Sequence, residues 1–146
     1  MQSDLTLGQL ADSEWATFMA KLEAAEQEFA HGRPAAFKAL WSNSDDVSIC
    51  GAFGGIESGW NNVASRLDWA SSQFSDGTRS REEIKSAVGA DFAYIVQTEH
   101  IRFRVPGRTE QSTLDLRVTM VFRHETAGWR IVHRQADSQR STQLPR

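Results

Sequence analysis

The stretch Leu40-Trp41-Ser42-Asn43-Ser44-Asp45-Asp46-Val47-Ser48-Ile49-Cys50-Gly51-Ala52-Phe53-Gly54-Gly55-Ile56-Glu57-Ser58-Gly59-Trp60 decides how this chain folds. It carries, in order, the end of a short apolar helix, two acids, a strand over Val47 to Cys50, a glycine-rich turn and a tryptophan that opens another helix. Gly51, Gly54 and Gly55 mark backbone that turns sharply or lies close to a neighbour. Helices on either side, with a sheet beginning between them, follow from that order.

Upstream, Asp12 or Ser13 can cap a helix with Glu14 in its first turn. Trp15, Phe18, Met19, Leu22, Ala25 and Phe29 recur at three- and four-residue steps, which predicts one buried stripe ending at Gly32. Pro34 suits the first turn of a second helix that buries Phe37, Leu40 and Trp41. Downstream, Trp60, Val63, Ala64, Leu67 and Phe74 predict a third helix, stopped by Ser75-Asp76-Gly77. The period then changes from helical to extended. Strands are predicted near Ser80 to Val88, Asp91 to Val105, Ser112 to Glu125 and Gly128 to Asp137, with turns at Pro106-Gly107 and Thr126-Ala127-Gly128. Helices followed by a meander of long strands give an α+β domain, three N-terminal helices packed on one face of an antiparallel sheet. Residues 1–12 are expected to form an N-terminal extension, 13–137 the domain and 138–146 a polar C-terminal tail.

Composition agrees with one globular domain: 146 residues, 40% hydrophobic and 24% charged. No apolar run approaches the roughly 18 residues of a membrane helix. Met1-Gln2-Ser3-Asp4-Leu5 has no basic segment followed by an apolar one, so a cytoplasmic location is expected. Cys50 is the single cysteine, which excludes an internal disulfide and a multi-cysteine metal site. A net charge of -3 offers no general attraction to nucleic acid or membrane, and neither is expected as a partner. The four histidines lack a recognisable ligand spacing, so no metal and no cofactor is expected.

A turn at Thr126-Ala127 pairs Glu125 with Gly128, and an unbroken register then sets Phe122 opposite Ile131, Met120 opposite His133 and Val118 opposite Gln135. Leu116, Val118, Met120, Phe122, Trp129, Ile131, His133 and Gln135 would share the face turned toward the helices. Arg117, Thr119, Val121, Arg123, Arg130, Val132, Arg134 and Ala136 would lie outside. Burying His133 and Gln135 without partners costs roughly 1 to 3 kcal/mol each. Either His133 bonds a backbone carbonyl or the Asp45-Asp46 pair, or both residues line a pocket mouth. On the strand before, Phe92, Tyr94, Val96, Thr98 and His100 read as the more apolar set, which brings Tyr94 and His100 to the same cavity, although Ile95, Ile101 and Phe103 favour the opposite parity. Most large rings at helical spacing fill a core; Trp41, Phe53 and Trp60, beside the glycine turn, are the candidate ligand-contacting rim.

The Leu40-Trp41…Asp45-Asp46-Val47 junction, the Phe53-Gly54-Gly55…Gly59-Trp60 turn and the ending Gly128-Trp129-Arg130-Ile131-Val132-His133 resemble SnoaL-like proteins of the nuclear transport factor two-like, ketosteroid isomerase-like superfamily. The resemblance runs from about Ser13 to Asp137. It implies a cone-shaped roll, cystatin-like in outline, whose curved sheet wraps over the helices, usually dimerises through the sheet and encloses a pocket open at one end. Relatives of that fold include isomerases, polyketide cyclases, dehydratases, epoxide hydrolases and noncatalytic association domains, so fold alone does not choose a function. In a ketosteroid isomerase the resemblance implies a tyrosine near the position of Ala25 and a base near that of Gly51, and neither residue here has a side chain that moves a proton.

The expectation is a homodimer, associating through the outer sheet face that bears Arg117 and Arg130, which binds a small, mostly apolar molecule of unknown identity. Its candidate contacts are Trp41, Phe53, Trp60, Tyr94, His100, Met120 and Gln135. The alternative is an enzyme of the polyketide cyclase, isomerase or dehydratase type in which His133 transfers a proton and Asp45 or Asp46 orients it. A second alternative is a noncatalytic dimerisation or assembly module.

Overall fold

The computed structural model describes residues 6–139. Helix α1 spans Leu7–Ala30 and begins earlier than Asp12 because Thr6 and Gln9 form a capping box: Gln9 N–H donates to Thr6 Oγ1 at 3.1 Å and Thr6 N–H to Gln9 Oε1 at 2.8 Å. This first turn is exposed at Leu7 and Leu10, and the stripe packed on the core starts, as its spacing predicts, at Trp15 and Phe18. Helix α2 is the single turn Ala35–Lys38, behind which Leu40 and Trp41 are buried with Phe37. Helix α3 covers Trp60–Ser71 and buries Val63 and Leu67. Residues expected in the tail beyond Gln139 lie outside the described residues; Ser138 itself closes the last strand.

Six strands form one curved sheet in the order β2-β1-β6-β5-β4-β3. They are β1 Ser48–Cys50, β2 Ile56–Ser58, β3 Ser75–Val88, β4 Phe92–Arg104, β5 Gln111–Glu125 and β6 Gly128–Ser138. The long strands agree with the predicted segments within a residue or two, except that β3 starts earlier. Ser75-Asp76-Gly77, read as a stop, forms the irregular beginning of β3, with Asp76 at φ 50°. Gly77 is there for close approach: a Cβ at this position would sit 2.3 Å from Ala30 O and 2.7 Å from Ala30 Cβ, so β3 lies directly against the end of α1. Strand β2, unforeseen, folds back on β1 across the glycine turn. The sheet is also not wholly antiparallel, since β1 runs parallel to β6.

Two parity expectations are overturned. On β4 the inward residues are Ala93, Ile95, Gln97, Glu99, Ile101 and Phe103, all buried, so Tyr94 and His100 point outward. Gln97 and Glu99 sit in the middle of that inner row and diluted its apolar signal. In the β5–β6 hairpin the register holds from Glu125↔Gly128 to Phe122↔Ile131 and then shifts, so that Val121 pairs with His133 and Met120 with Arg134. Val132 is the extra residue of a β-bulge. Ile131 turns its hydrogen bonds to the other neighbour, donating to Leu40 O and accepting from Ser42 N–H, each at 2.9 Å. Past the bulge every side chain changes face. Arg134 and Ala136 face the helices, and His133 and Gln135 face away from them.

Because the α1–β3 contact leaves no room for a methyl group at 77, Gly77→Ala is expected to lower the unfolding free energy by about 2 kcal/mol. Urea titration of the parent and variant chains checks this; equal midpoints would show that the contact is not tight.

Candidate functional site

Between the inner face of the sheet and the three helices lies a cavity of about 70 Å³. Its walls are apolar: Phe29 from α1, Phe37 from α2, Leu67 from α3, Phe74 before β3, Ile101 from β4 and Leu116 from β5. The segment Gly51-Ala52-Phe53 and Arg66 border its mouth, where Phe53 is 40% exposed and packs on Trp69 and Phe74. Arg66 donates to Gly54 O and lies 4.6 Å from the Trp69 ring centroid, which ties the glycine turn to α3.

The deep end is charged, and each charge follows from the parities above. Glu26 occupies the α1 stripe four residues after Leu22 and three before Phe29; Arg79 comes from β3, Glu99 from β4 and Arg134 from β6 beyond the bulge. Glu99 is 2% exposed. Its carboxylate accepts a bidentate pair from Arg134 at 2.9 and 3.0 Å and a bond from Gln97 Nε2 at 2.7 Å, and Arg79 Nη2 lies 3.0 Å away. Burial opposes ionisation of Glu99, but Arg134 and Arg79 reverse that effect and hold the carboxyl well below its usual range. Burial likewise disfavours the charge on Arg134 and Arg79, and the facing glutamates more than restore it.

Glu26 differs. It is 6% exposed, and among the described residues Arg79 is its one ion-pair arginine, through Oε2, while its Oε1 has no hydrogen-bond partner. Both Nη atoms of Arg79 also lack an aligned hydrogen bond: Glu26, Glu99 and Glu23 are near in distance but off the N–H directions. Burial, the largest influence, outweighs the attraction of Arg79 and pushes the Glu26 carboxyl up to about 7. A second rank braces this set, with Arg81 donating to Glu23 at 2.9 Å and to Gln97 at 3.2 Å, and Gln27 donating to Arg79 O at 2.9 Å.

The candidate residues read from sequence are spread over five places. Phe53 lines the cavity. Trp41 and Met120 are core residues, Trp41 tilted against Trp60 at 6.5 Å and Met120 in contact with Arg134 through sulfur at 3.6 Å. Trp60 and Asp45 border a separate shallow hollow. The rest lie on the outer sheet face: Tyr94 is 43% exposed, His100 bonds Asp115 at 2.5 Å, Gln135 bonds Asp137 at 3.1 Å, and His133 Nδ1 bonds Ser48 Oγ at 2.7 Å. Asp46 does not orient His133. It receives Arg123 at 2.6 and 3.0 Å, and these bonds, with one from Ser44, lower its carboxyl to about 2.

The polar residues that line the deep end of the cavity, and Gln97 bonded to them, were missed. Glu26 on a helix stripe and Gln97 and Glu99 on an otherwise apolar strand phase were visible as exceptions; Arg134 was not, because only the bulge turns it inward. Among the described residues no cluster of His, Cys, Asp and Glu could hold a metal ion, and no helix is long and apolar enough to cross a membrane.

A SnoaL-like domain family matches residues 19–137. Similar solved structures include a proposed dehydratase of the nuclear transport factor 2-like family from Streptomyces avermitilis, at 17% identity and TM-score 0.75, covering 93% of this chain and 100% of that one. A nuclear transport factor 2-like superfamily protein from Salmonella enterica shows 21% identity and TM-score 0.67 over 88% and 96% of the two chains. A ketosteroid isomerase-like protein from Erwinia carotovora shows 15% identity and TM-score 0.70 over 88% and 98%. At these identities the likeness is one of fold. No curated protein matches the sequence.

Glu26 ordinarily titrates near 4.5 and in the folded chain near 7. Between those values the folded state holds the extra proton, so its stabilising effect is full below the window and lost as pH rises through it. Glu26→Gln keeps the neutral form at every pH. The variant is expected to match the parent near pH 5 and to exceed it at pH 8 by about 1 to 3 kcal/mol, read from urea unfolding at both values. A constant difference across that range would show that Glu26 does not titrate there.

Proposed function

Because the chain belongs to the SnoaL-like domain family, we propose that it binds a small, mostly apolar molecule between sheet and helices, polar end inward. The observation that carries this reading is the contrast within one cavity. Phenylalanine and leucine walls lead to Glu26 and Arg79, whose Oε1 and two Nη atoms are buried and without aligned partners. A buried polar group left so costs about 1 to 3 kcal/mol, and a ligand atom that bonds it recovers part of that cost. A cavity of about 70 Å³ suits a small molecule or the inner end of a larger one.

A second reading, proton transfer on the bound molecule, is favoured by the Glu26 carboxyl near neutrality. In that case Glu26, within the cavity, takes the part first assigned to His133. Ketosteroid isomerase chemistry is not favoured, since Ala25 is a core residue and Gly51 brings only backbone to the cavity.

Benzamide tests the binding reading, having an apolar ring and an uncharged end that both donates and accepts. Titrated into the chain and followed by two-dimensional NMR, it is expected to shift signals around Phe53, Ala70, Ile101 and Leu114. Ala70→Leu, which narrows the cavity, is expected to weaken binding at least about fivefold. Shifts scattered over the surface, or equal binding by the variant, would remove the reading.

The homodimer belongs to the same proposal. The outer face carries Tyr94 opposite Val121 opposite His133, with Phe92 and Tyr94 exposed and Arg117 and Arg130 nearby, a mixed surface suited to a second copy. Light scattering is expected to give twice the chain mass, and Tyr94→Lys to give the monomer. A Tyr94→Lys dimer as tight as the parent would move the interface elsewhere.

A further inference from the structure

The charges at the deep end of the cavity balance when all four groups are ionised, with Glu26 and Glu99 against Arg79 and Arg134. An anion that enters leaves this buried set with one negative charge in excess, which a low-dielectric interior resists. A proton arriving with the anion restores the balance, and the geometry says where it goes. Glu99 is committed, since Arg134 bonds both of its oxygens and Gln97 and Arg79 crowd Oε2. Glu26 lines the same cavity, is 6% exposed and leaves Oε1 without a partner. Protonated, it becomes a hydrogen-bond donor beside the unaligned Nη atoms of Arg79.

We propose that the cavity is a site for the carboxylate end of a small apolar acid, bonded by Arg79 and by protonated Glu26, and that each bound anion brings one proton from solvent onto Glu26. The inference rests on the pocket reading and names its ligand class. A single-charge, planar head matches a site that takes up one proton and offers a guanidinium edge. Phe29, Phe37, Phe53 and Phe74 provide apolar walls for the remainder of the molecule, with Phe53 at the open end. Arg66, half-buried at the mouth, places a further positive charge on the way in.

The groups that face Glu26 are few. Arg79 comes from β3, Glu99 from β4 and Arg134 from β6, and Glu23, one turn earlier on α1, is engaged by Arg81. From α2 and β5 the lining is Phe37, Leu114 and Leu116, none of which titrates, and no histidine, cysteine or tyrosine lines the cavity among the described residues. The arginines stay charged and Glu99 stays ionised through neutral pH, which leaves Glu26 as the group able to respond.

Benzoate and benzamide, which share a ring and differ in charge, test the proposal on the whole chain between pH 6 and 9. Benzoate affinity is expected to fall about tenfold per pH unit above pH 7 while benzamide affinity stays level. Calorimetry at pH 8 in two buffers of different protonation heat is expected to read close to one proton taken up per benzoate and none per benzamide. Glu26→Gln is expected to abolish both the uptake and the pH dependence. Benzoate affinity that stays level from pH 7 to 9, absence of proton uptake, or a Glu26→Gln chain that keeps the parent slope each overturns the proposal, the first two without any variant. Benzamide binding without benzoate binding overturns it while leaving the pocket reading intact, and binding of neither removes both.

Discussion

Glu99 sits in the middle of β4, 2% exposed, and an unpaired carboxylate at that depth would cost several kcal/mol even after relaxation. It is tolerated because Arg134 arrives from β6 and Arg79 from β3, strands on either side of the β4–β5 pair. Each arginine reaches it through a backbone device. The bulge at Val132 turns Arg134 inward, and Gly77, with no side chain, lets β3 lie against α1 so that Arg79 also meets Glu26. Remove the bulge and Arg134 points outward while His133 takes its place inside, leaving a buried carboxylate short of its principal partner. The charge pairing and the irregular backbone are therefore one constraint, and it joins three strands and a helix at the end of the cavity.

Buried ion clusters are poor evidence of stability, because apolar residues of similar volume often stabilise a core more. What is informative is the location. Leu22, Ala25, Ile95 and Phe103 show that the same helix and strand build ordinary apolar core elsewhere along their length. Where they border the cavity they carry Glu26 and Glu99, with Gln97 bonded to Glu99 beside it. The polar cluster and the cavity thus coincide, as expected of a site with apolar walls and a few converging polar groups.

Much of the fold was legible because its signals are local. The α1 stripe from Trp15 to Phe29, the Pro34 helix start, the Thr126-Ala127 turn and the long strands all follow from periodicity and turn chemistry within short windows. What escaped depends on contacts distant in sequence. The register of β6 breaks because Leu40 and Ser42 take the hydrogen bonds of Ile131, and nothing in Ile131-Val132-His133 announces that exchange. One displaced residue then carried His133, Gln135, Arg134 and Ala136 to the wrong faces. The opening stretch behaved in two ways. Its glycine turn and Phe53 do border the cavity, whereas Asp46 closes a separate ion cluster with Arg123, Ser44 and, through Arg123, Glu125.

The two buried glutamates show how position divides the roles within such a site. Glu26 and Glu99 both contact Arg79 and are comparably buried, yet burial carries one up to about 7 while pairing holds the other well below its ordinary range. The difference is the partner count: Glu99 has the Arg134 guanidinium and an amide aligned on its oxygens with the Arg79 guanidinium 3.0 Å away, and Glu26 has one guanidinium, poorly aligned. A carboxylate fully committed to its partners keeps the arginines oriented without itself responding to a ligand. One with a free oxygen, in the same cavity, can exchange a proton or a hydrogen bond at modest cost. Environments that push two like groups apart in this way separate a fixed element from a responsive one, and here the responsive group is the cavity-lining glutamate that keeps an unpaired oxygen.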